Sequence, residues 1–520
     1  MISSLKAHIG YLADDKLEGR RAGSRGEKLA ADYIINNFQK IGLQPKGDKN
    51  GWLQEFPIYD GKEINASSHL LINGHHLKLK TDYFPFAFSP NNSTESAVSI
   101  ALAEQGVPWF MDVKDMIEEN KENPHFDLVE AIRAKAVHAS TKGATALFVS
   151  NTSELPDNLQ FDPKDRSENL KIPVVYVSSD ARKKYLGDEA ATYDIKLKID
   201  IAPRNRKGNN VIAYINNYAD NTVIVGAHYD HLGYGEDGNS LQRTSEKQIY
   251  NGADDNASGT AALIEIARAL KNARYKNNNY VFVAFSAEEL GLNGSKYFTE
   301  NPPVDLSRVN YMINLDMIGR LNESNKTVTV GGYGTSAVWS QLFSSISDGK
   351  YLKFKFDSSG TGPSDHTSFY RKNIPVLFYF TNAHSDYHKP TDDANKINYT
   401  GELLIIKHIL EMVGAANNKP KLAFLPTRET QMTPQRFTVS LGIMPDYSFN
   451  GTGVRVDGVS SGRIAEKAGM KSGDIIVQLG NHATSSVETY MQALMKFKKG
   501  DATTVKYKRG NAVMEVQVEF

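Results

Sequence analysis

The chain reads as an α/β protein built on a mostly parallel sheet, and three observations predict this. Short runs rich in Val, Ile, Phe and Tyr recur at Val223–His231, Tyr280–Gly291, Tyr311–Arg320 and Ile374–Phe380. Helical patterns separate them, most clearly Ser258–Leu270, where Leu263, Ile266, Ala267 and Leu270 share one face. The runs end in, or lead into, polar stretches carrying His, Asp or Glu. Uninterrupted apolar runs are those of strands buried on both faces. In open sheets of this kind a ligand site lies beyond the carboxyl ends of the strands.

Taken in order, residues 1–61 open with a helical pattern. Ser24, with Glu27 three residues on, makes a capping box; Ala30, Ile34, Phe38 and Ile41 follow at helical spacing, and Gly42 stops the helix. This is a packing helix, with no chemistry expected of it. Residues 62–200 change character to short strands and polar stretches, with buried strands expected in KGATALFVSN and KIPVVYVSS, and read as an inserted, mainly β domain. The sheet resumes over 201–418. A Pro- and Thr-bearing connector, 419–434, leads to a terminal module, 435–520, that ends in a hairpin around Arg509–Asn511.

At 520 residues, about three or four domains are expected. Lys+Arg and Asp+Glu are both 60, so the chain lacks the basic footprint of a nucleic-acid binder. It has no cysteine, which excludes disulfides, thiolate metal ligands and a cysteine nucleophile. No apolar run reaches the roughly 18 residues a membrane span needs. The opening MISSLKAHIGYL lacks the apolar centre of a signal peptide, as it would if a cleaved signal had been replaced by a methionine.

Five residues stand out as metal ligands: His228, Asp255, Glu289, Asp316 and His388. Imidazole and carboxylate donors suit zinc, and a set without thiolate is typical of catalytic sites. Five side chains hold two metals only if one bridges, which a carboxylate does readily with its two oxygens. Each residue taken singly has an ordinary structural role. Asp254 and Asp255 could cap the following helix, and Glu288 and Glu289 could face solvent at a helix start. An unpaired Asp316 after YMINL would be costly to bury. Five such residues along successive runs argue jointly for metal.

The motifs GAHYDHLG, NGADDNASG, SAEELGLNGS, NLDMIGR and SDYHKPTDD, in this order, resemble those of the M28 family of two-zinc aminopeptidases. The resemblance covers the N-terminal helix region and about 208–416. It implies a zinc-exopeptidase fold, a mixed sheet flanked by helices, and two Zn²⁺ per chain. His228, Glu289, Asp316 and His388 would be terminal ligands. Asp255, three residues before the Ser of Ser258-Gly259, would be the bridge. Glu288 would be the general base, and Asp230 would orient His228 by a hydrogen bond. His231 is the weaker choice at its motif, because the family's ligand precedes the Asp by two. Tyr387 would stand where a phenol meets the oxyanion. Ser364, Asp365 and His366, in GTGPSDHTSFY, would contact substrate or support the ligands.

The inserted segment resembles a protease-associated (PA) domain through Gly143–Asn151 and Ile172–Ser178. The terminal module resembles a PDZ domain, with Ser440, Leu441, Gly442 and Ile443 as the carboxylate-binding loop and GMKSGDIIVQLGN as its most recognisable stretch. Such domains bind peptide ends by strand addition, so a peptide C-terminus is a possible partner beside the peptide substrates. The expected function is hydrolysis of the N-terminal residue of peptides with a neutral or apolar first side chain. Relatives with this PA and PDZ arrangement imply an exported protein. The alternatives are a carboxypeptidase or dipeptidase on the same scaffold, with Arg320 nearest the site for a substrate carboxylate, or a non-catalytic peptide-binding protein. Consecutive Ser364, Asp365 and His366 cannot converge as a hydrolase triad, and no Gly-x-Ser-x-Gly elbow is present.

Overall fold

A computed structural model describes residues 1–121, 126–165, 167–242, 246–346, 351–427, 439–445, 449, 451–459, 463–494, 496–498, 500–510 and 512–520. The last part of the expected connector, 428–434, and the opening of the terminal module, 435–438, lie outside the described residues, as does Asn511. Two compact units emerge: residues 1–58, 206–449 and 454–520, and residues 59–205 with 450–453.

The apolar runs become neighbouring strands. A nine-stranded sheet contains β1 (Gln44–Pro45), β2 (Leu53–Ile64), β3 (Ile201–Ile215), β4 (Asn221–His228), β5 (Asn278–Phe285), β6 (Val309–Leu315), β7 (Thr327–Gly331), β8 (Lys353–Phe356) and β9 (Val376–Phe380). Its order is β1-β3-β5-β4-β6-β9-β7-β8, with β2 against β3. The centre, β5-β4-β6-β9, is parallel: Val223 lies opposite Tyr280 and Tyr311, and Met312 opposite Val376. Antiparallel β3 and β7 flank it, which makes the sheet mixed.

Alternation along these strands sends side chains to opposite faces. Val223, Val225, Tyr280 and Phe282 pack on one face with Leu5 and Ile9 of α1 (Ile2–Leu12), Ile34 and Phe38 of α2 (Arg25–Ile41), Leu263 and Ile266 of α3 (Gly259–Asn272) and Ile405 and Ile409 of α4 (Tyr399–Ala416). Ile224, Val281, Val283 and Met312 pack on the other with Phe298 and Phe369. Each such buried side chain contributes about 1.5–3 kcal/mol. Both faces are covered, so neither alternates with polar residues, which is why the runs are uniformly apolar.

The start of α2 differs from the expected capping box. The Ser24 hydroxyl accepts the Glu27 N–H at 3.3 Å, but the Glu27 carboxylate accepts from Gly23 N–H at 2.7 Å, one residue earlier. Glu27 is only 2% exposed, and its other oxygen accepts from the Ser286 and Tyr229 hydroxyls. The helix therefore does more than pack: it puts a buried carboxyl behind the ends of β4 and β5. The chain stops at Gly42 in the left-handed region, as read.

The second unit holds two four-stranded sheets. One is antiparallel, built on His69–Ile72, Asn92–Ser99 and Thr192–Ile199. The other sets Leu147–Ser150 parallel to Val174–Val177, the strands expected in KGATALFVSN and KIPVVYVSS. In the terminal module, Ile443–Pro445, Val454–Val459, Ile475–Leu479, Ala502–Arg509 and Ala512–Glu519 pair in that order. They enclose their own core of Leu441, Val454, Ile476, Leu479, Tyr490 and Tyr507. Among the described residues no helix is long and apolar enough to cross a membrane.

Candidate metal centre

Every expected ligand falls near the carboxyl edge of the parallel strands. His228 is the last residue of β4, Asp316 follows β6, and Glu288 and Glu289 lie just beyond β5. His388 comes from the loop after β9, and Asp255 from a widened turn, Ala253–Ser258, that leads into α3. Ala287, Met317 and His388 have φ of 54°, 51° and 54°. Non-glycine residues enter this left-handed region at a cost, and such residues cluster at functional sites.

Two donor groups meet at Asp255. Its Oδ1 is 3.3 Å from His228 Nε2, which is 3.4 Å from Asp316 Oδ1. Its Oδ2 is 3.3 Å from His388 Nε2, which is 3.1 Å from Glu289 Oε2. Asp255 thus turns one oxygen to each histidine, as a bridging carboxylate would. Donors about 2.0–2.2 Å from a tetrahedral ion stand roughly 3.3–3.6 Å apart; the His228–Asp255, His228–Asp316 and His388–Asp255 spacings fall in that range, and the His388–Glu289 spacing of 3.1 Å is shorter. All five residues are largely buried, and Glu288 Oε2 lies 3.9 Å from His228 Nε2. The adjacent glutamates diverge, Glu288 toward His228 and Glu289 toward His388.

The support around them was only partly legible. Ser364 donates to Asp316 Oδ2 at 2.7 Å and accepts from Asn314 at 2.7 Å. Asp392 Oδ2 accepts the N–H groups of both Asp254 and Asp255, at 2.9 and 3.0 Å. Asp254 faces elsewhere, accepting from Gly319 N–H at 2.7 Å and standing 3.1 Å from His384 Nε2. Asn239 offers its carbonyl to His388 Nδ1 at 2.9 Å and its amide to the Glu289 carbonyl. Of these, Asn239 and His384 lay outside the motifs read from the sequence, and Asp392, although inside SDYHKPTDD, was assigned no role there, since their partners are distant in the chain.

Several expectations need correction. The contact between Asp230 and His228 Nδ1 runs through the Asp230 backbone carbonyl at 3.2 Å, while the carboxylate is 3.8 Å away and accepts the Glu288 N–H. His231, set aside in the sequence, has Nδ1 2.7 Å from Glu289 Oε1 and 3.9 Å from Asp255 Oδ2, close enough to compete as a donor. Arg320 pairs through Nη2 with Asp386 at 3.2 Å, while its Nη1 is buried 3.9 Å from Asp392 Oδ1 and makes no hydrogen bond among the described residues. His366 is buried and stacks on Phe378, with ring centroids 4.5 Å apart, and burial pushes it down to about 3, so it stays neutral. Asp365 is fully buried and raised to about 7 by that burial. A substrate in solution does not reach either of them. Tyr387 stacks on His388 with centroids 4.0 Å apart. Burial, and then the surrounding carboxylates, push its phenol well up and keep it a proton donor.

Charge in the cluster follows the same logic. Burial pushes Glu288 well above the usual carboxylate range, and neighbouring Asp316 and Asp365 add to it against the pull of His228. Burial opposes charge on His228 and His388, yet Glu288 and Asp316 around the first, and Glu289 and Asp255 around the second, push both well up. Protons on the imidazoles balance the carboxylates, a task a metal cation would take over.

In the terminal module, the Ser440 hydroxyl accepts the Gly442 N–H at 3.1 Å. The Leu441 carbonyl accepts from Ala465, and the Leu441 and Ile443 side chains are buried in the module's core. Gly442 has φ of +82°, and an added Cβ would sit 2.3 Å from Arg463 Cβ, so only glycine fits this turn.

An α/β sheet with a buried His, Asp and Glu cluster at its carboxyl edge gives this protein a candidate metal centre. Residues 210–413 match the model of peptidase family M28, and residues 430–520 that of the PDZ domain. The chain therefore carries an M28 peptidase domain followed by a PDZ domain. Among curated proteins, aminopeptidase YwaD of Bacillus subtilis is 27% identical over 73% of this chain and 77% of its own length. The probable lipoprotein aminopeptidase LpqL of Mycobacterium tuberculosis is 24% identical over 61% of this chain, which spans 59% of that relative. Among solved structures, BSAP, a zinc aminopeptidase from Bacillus subtilis, aligns with a TM-score of 0.44 at 21% identity, over 80% of this chain and 95% of that one.

Proposed function

We propose that this chain is a zinc-dependent aminopeptidase that removes the N-terminal residue of peptides. The observation that carries the reading is Asp255, with one oxygen toward His228 and Asp316 and the other toward His388 and Glu289. On this reading His228, Asp255 and Asp316 hold one Zn²⁺, and Asp255, Glu289 and His388 the other. When bound, the two ions supply Lewis acidity toward the scissile carbonyl and toward water.

The chain's own residues do the rest. Glu288 takes a proton from the attacking water and delivers it to the leaving amine, and its burial raises its proton affinity. The Asp230 carboxylate holds the Glu288 N–H and so fixes where that side chain starts. Tyr387, neutral and braced on His388, donates toward the developing oxyanion. Ser364 holds Asp316 in place from behind. The curated relatives are named aminopeptidases, and the word lipoprotein in LpqL's name supports an exported location. We further read the 62–200 region as a PA-like insert and the PDZ groove as a site for a peptide C-terminus.

The test is cleavage of aminoacyl-p-nitroanilides with free and with blocked amines, by wild type and Glu288→Gln, with zinc quantified in both. Cleavage of free-amine substrates only, lost in the variant while both zincs remain, is expected. A fully metallated wild type that cleaves neither substrate would overturn the reading.

A further inference from the structure

We propose that Arg20 is a positioning residue for the metal centre, holding the His228 and Asp255 segments at the separation at which their donors converge. The proposal rests on the metal reading above. Arg20 is 1% exposed, and its guanidinium is spent on backbone carbonyls. Nε donates to Tyr229 at 2.8 Å, Nη1 to Asn251 at 2.6 Å and to Leu12, and Nη2 to Gly252 at 3.0 Å. Tyr229 follows His228, and Gly252 stands three residues before Asp255. One planar fork therefore ties together the two segments whose side chains must share an ion.

The surroundings reinforce this reading. Arg20 sits in the left-handed region, with φ of 49°, and its own carbonyl accepts the His231 N–H at 3.2 Å. Gly19 beside it allows the close approach: a Cβ there would lie 2.4 Å from the Gly233 carbonyl oxygen and 2.6 Å from that of Tyr250. Asp15 accepts from the Asn251 side chain at 2.8 Å, seating the same loop on the N-terminal segment. Among the described residues Arg20 makes no ion pair at contact distance, but it faces Asp255, Asp230, Asp392 and Glu289. It is a fixed cation behind a cluster with more carboxylates than bases, and it is present whether or not metal is bound. A lysine keeps the charge but has a single ammonium that cannot span four carbonyls in a plane.

The experiment measures metal binding directly, on the full chain. Wild type, Arg20→Lys and the milder Asn251→Ala are stripped of metal and titrated with Zn²⁺ against a chelating dye. Each is also titrated with Co²⁺, whose visible absorption reports donor geometry, and folding is followed by circular dichroism. Arg20→Lys is expected to fold, to bind Zn²⁺ at least tenfold more weakly and to give an altered Co²⁺ spectrum. Asn251→Ala is expected to weaken binding in the same direction but less. Wild-type affinity and spectrum in folded Arg20→Lys, or in Asn251→Ala where the lysine variant does not fold, would overturn the assignment and leave the metal reading standing. A wild type that takes up no metal would overturn both.

Discussion

Glu288 and Ser364 show how much a single side chain is asked to do here. Replacing Glu288 by Gln keeps its size and removes its proton transfer, so kcat should fall roughly 100- to 10,000-fold with bound zinc unchanged. Single-turnover kinetics alongside metal analysis would check this. Ser364→Ala removes a 2.7 Å bond to Asp316. Outer supports of this kind are worth roughly 10- to 100-fold in metal affinity, and the dye titration would show the loss as weaker zinc binding in a protein of unchanged fold. Both residues lie in motifs visible in the sequence. Asn239 holds His388 as directly, yet nothing local marks it, and Asp392, inside SDYHKPTDD, shows no sign there that it holds the Asp255 N–H, because a hydrogen bond between residues far apart in the chain has no signature in either one's neighbourhood.

At the scale of elements, α2 carries a consequence of its buried Glu27. Burial raises this carboxyl to about 7, and hydrogen bonds from Ser286 and Gly23 only partly offset it. Since the folded value lies above the unfolded one of about 4.3–4.5, the folded state holds its proton more tightly. The stability linked to this group is full below about pH 4.5 and is lost as pH rises through about 7. The loss is bounded at about 3.5 kcal/mol. Glu27→Gln mimics the protonated carboxyl, with its carbonyl free for the Gly23 N–H. The variant should therefore gain stability relative to wild type as pH rises from 5 to 8, measured by denaturant midpoints. A difference that stays constant with pH would mean the carboxyl is ionised in the fold. The helix itself was readable from Ser24, its apolar spacing and Gly42. That its first turn faces the active edge was not, because a capping glutamate and a buried one look alike in one dimension.

Over the whole molecule, the proposed metal centre predicts a coupling of metal and fold. An ion that binds only the folded state stabilises it, by about 2.7 kcal/mol when its free concentration is 100 times Kd. Chelation should therefore lower the unfolding temperature of the peptidase domain while leaving that of the PDZ domain unmoved. Differential scanning calorimetry of the full chain, with and without chelator, would resolve the two transitions. Deleting the residues after Pro434 removes the PDZ domain, whose core is its own. Hydrolysis of small aminoacyl-p-nitroanilides should be largely retained; loss of all activity in a folded truncation would make the PDZ domain part of the catalytic machinery.

What the sequence alone determined is the framework. Four apolar runs, their order, the helical segments between them and the placing of His, Asp and Glu near their ends all follow from local periodicity, because strand and helix impose periods that composition displays. What only the tertiary structure decided is which of those polar residues meet. Asp255 faces the histidines while Asp254 turns to Gly319 and His384. Arg320 reaches Asp386 through Nη2, and Arg20, from the first turns of the chain, reaches the segments around His228 and Asp255. Proximity across the fold depends on how strands order and loops turn, and those are set by packing over the whole core, not by any residue's neighbours in sequence.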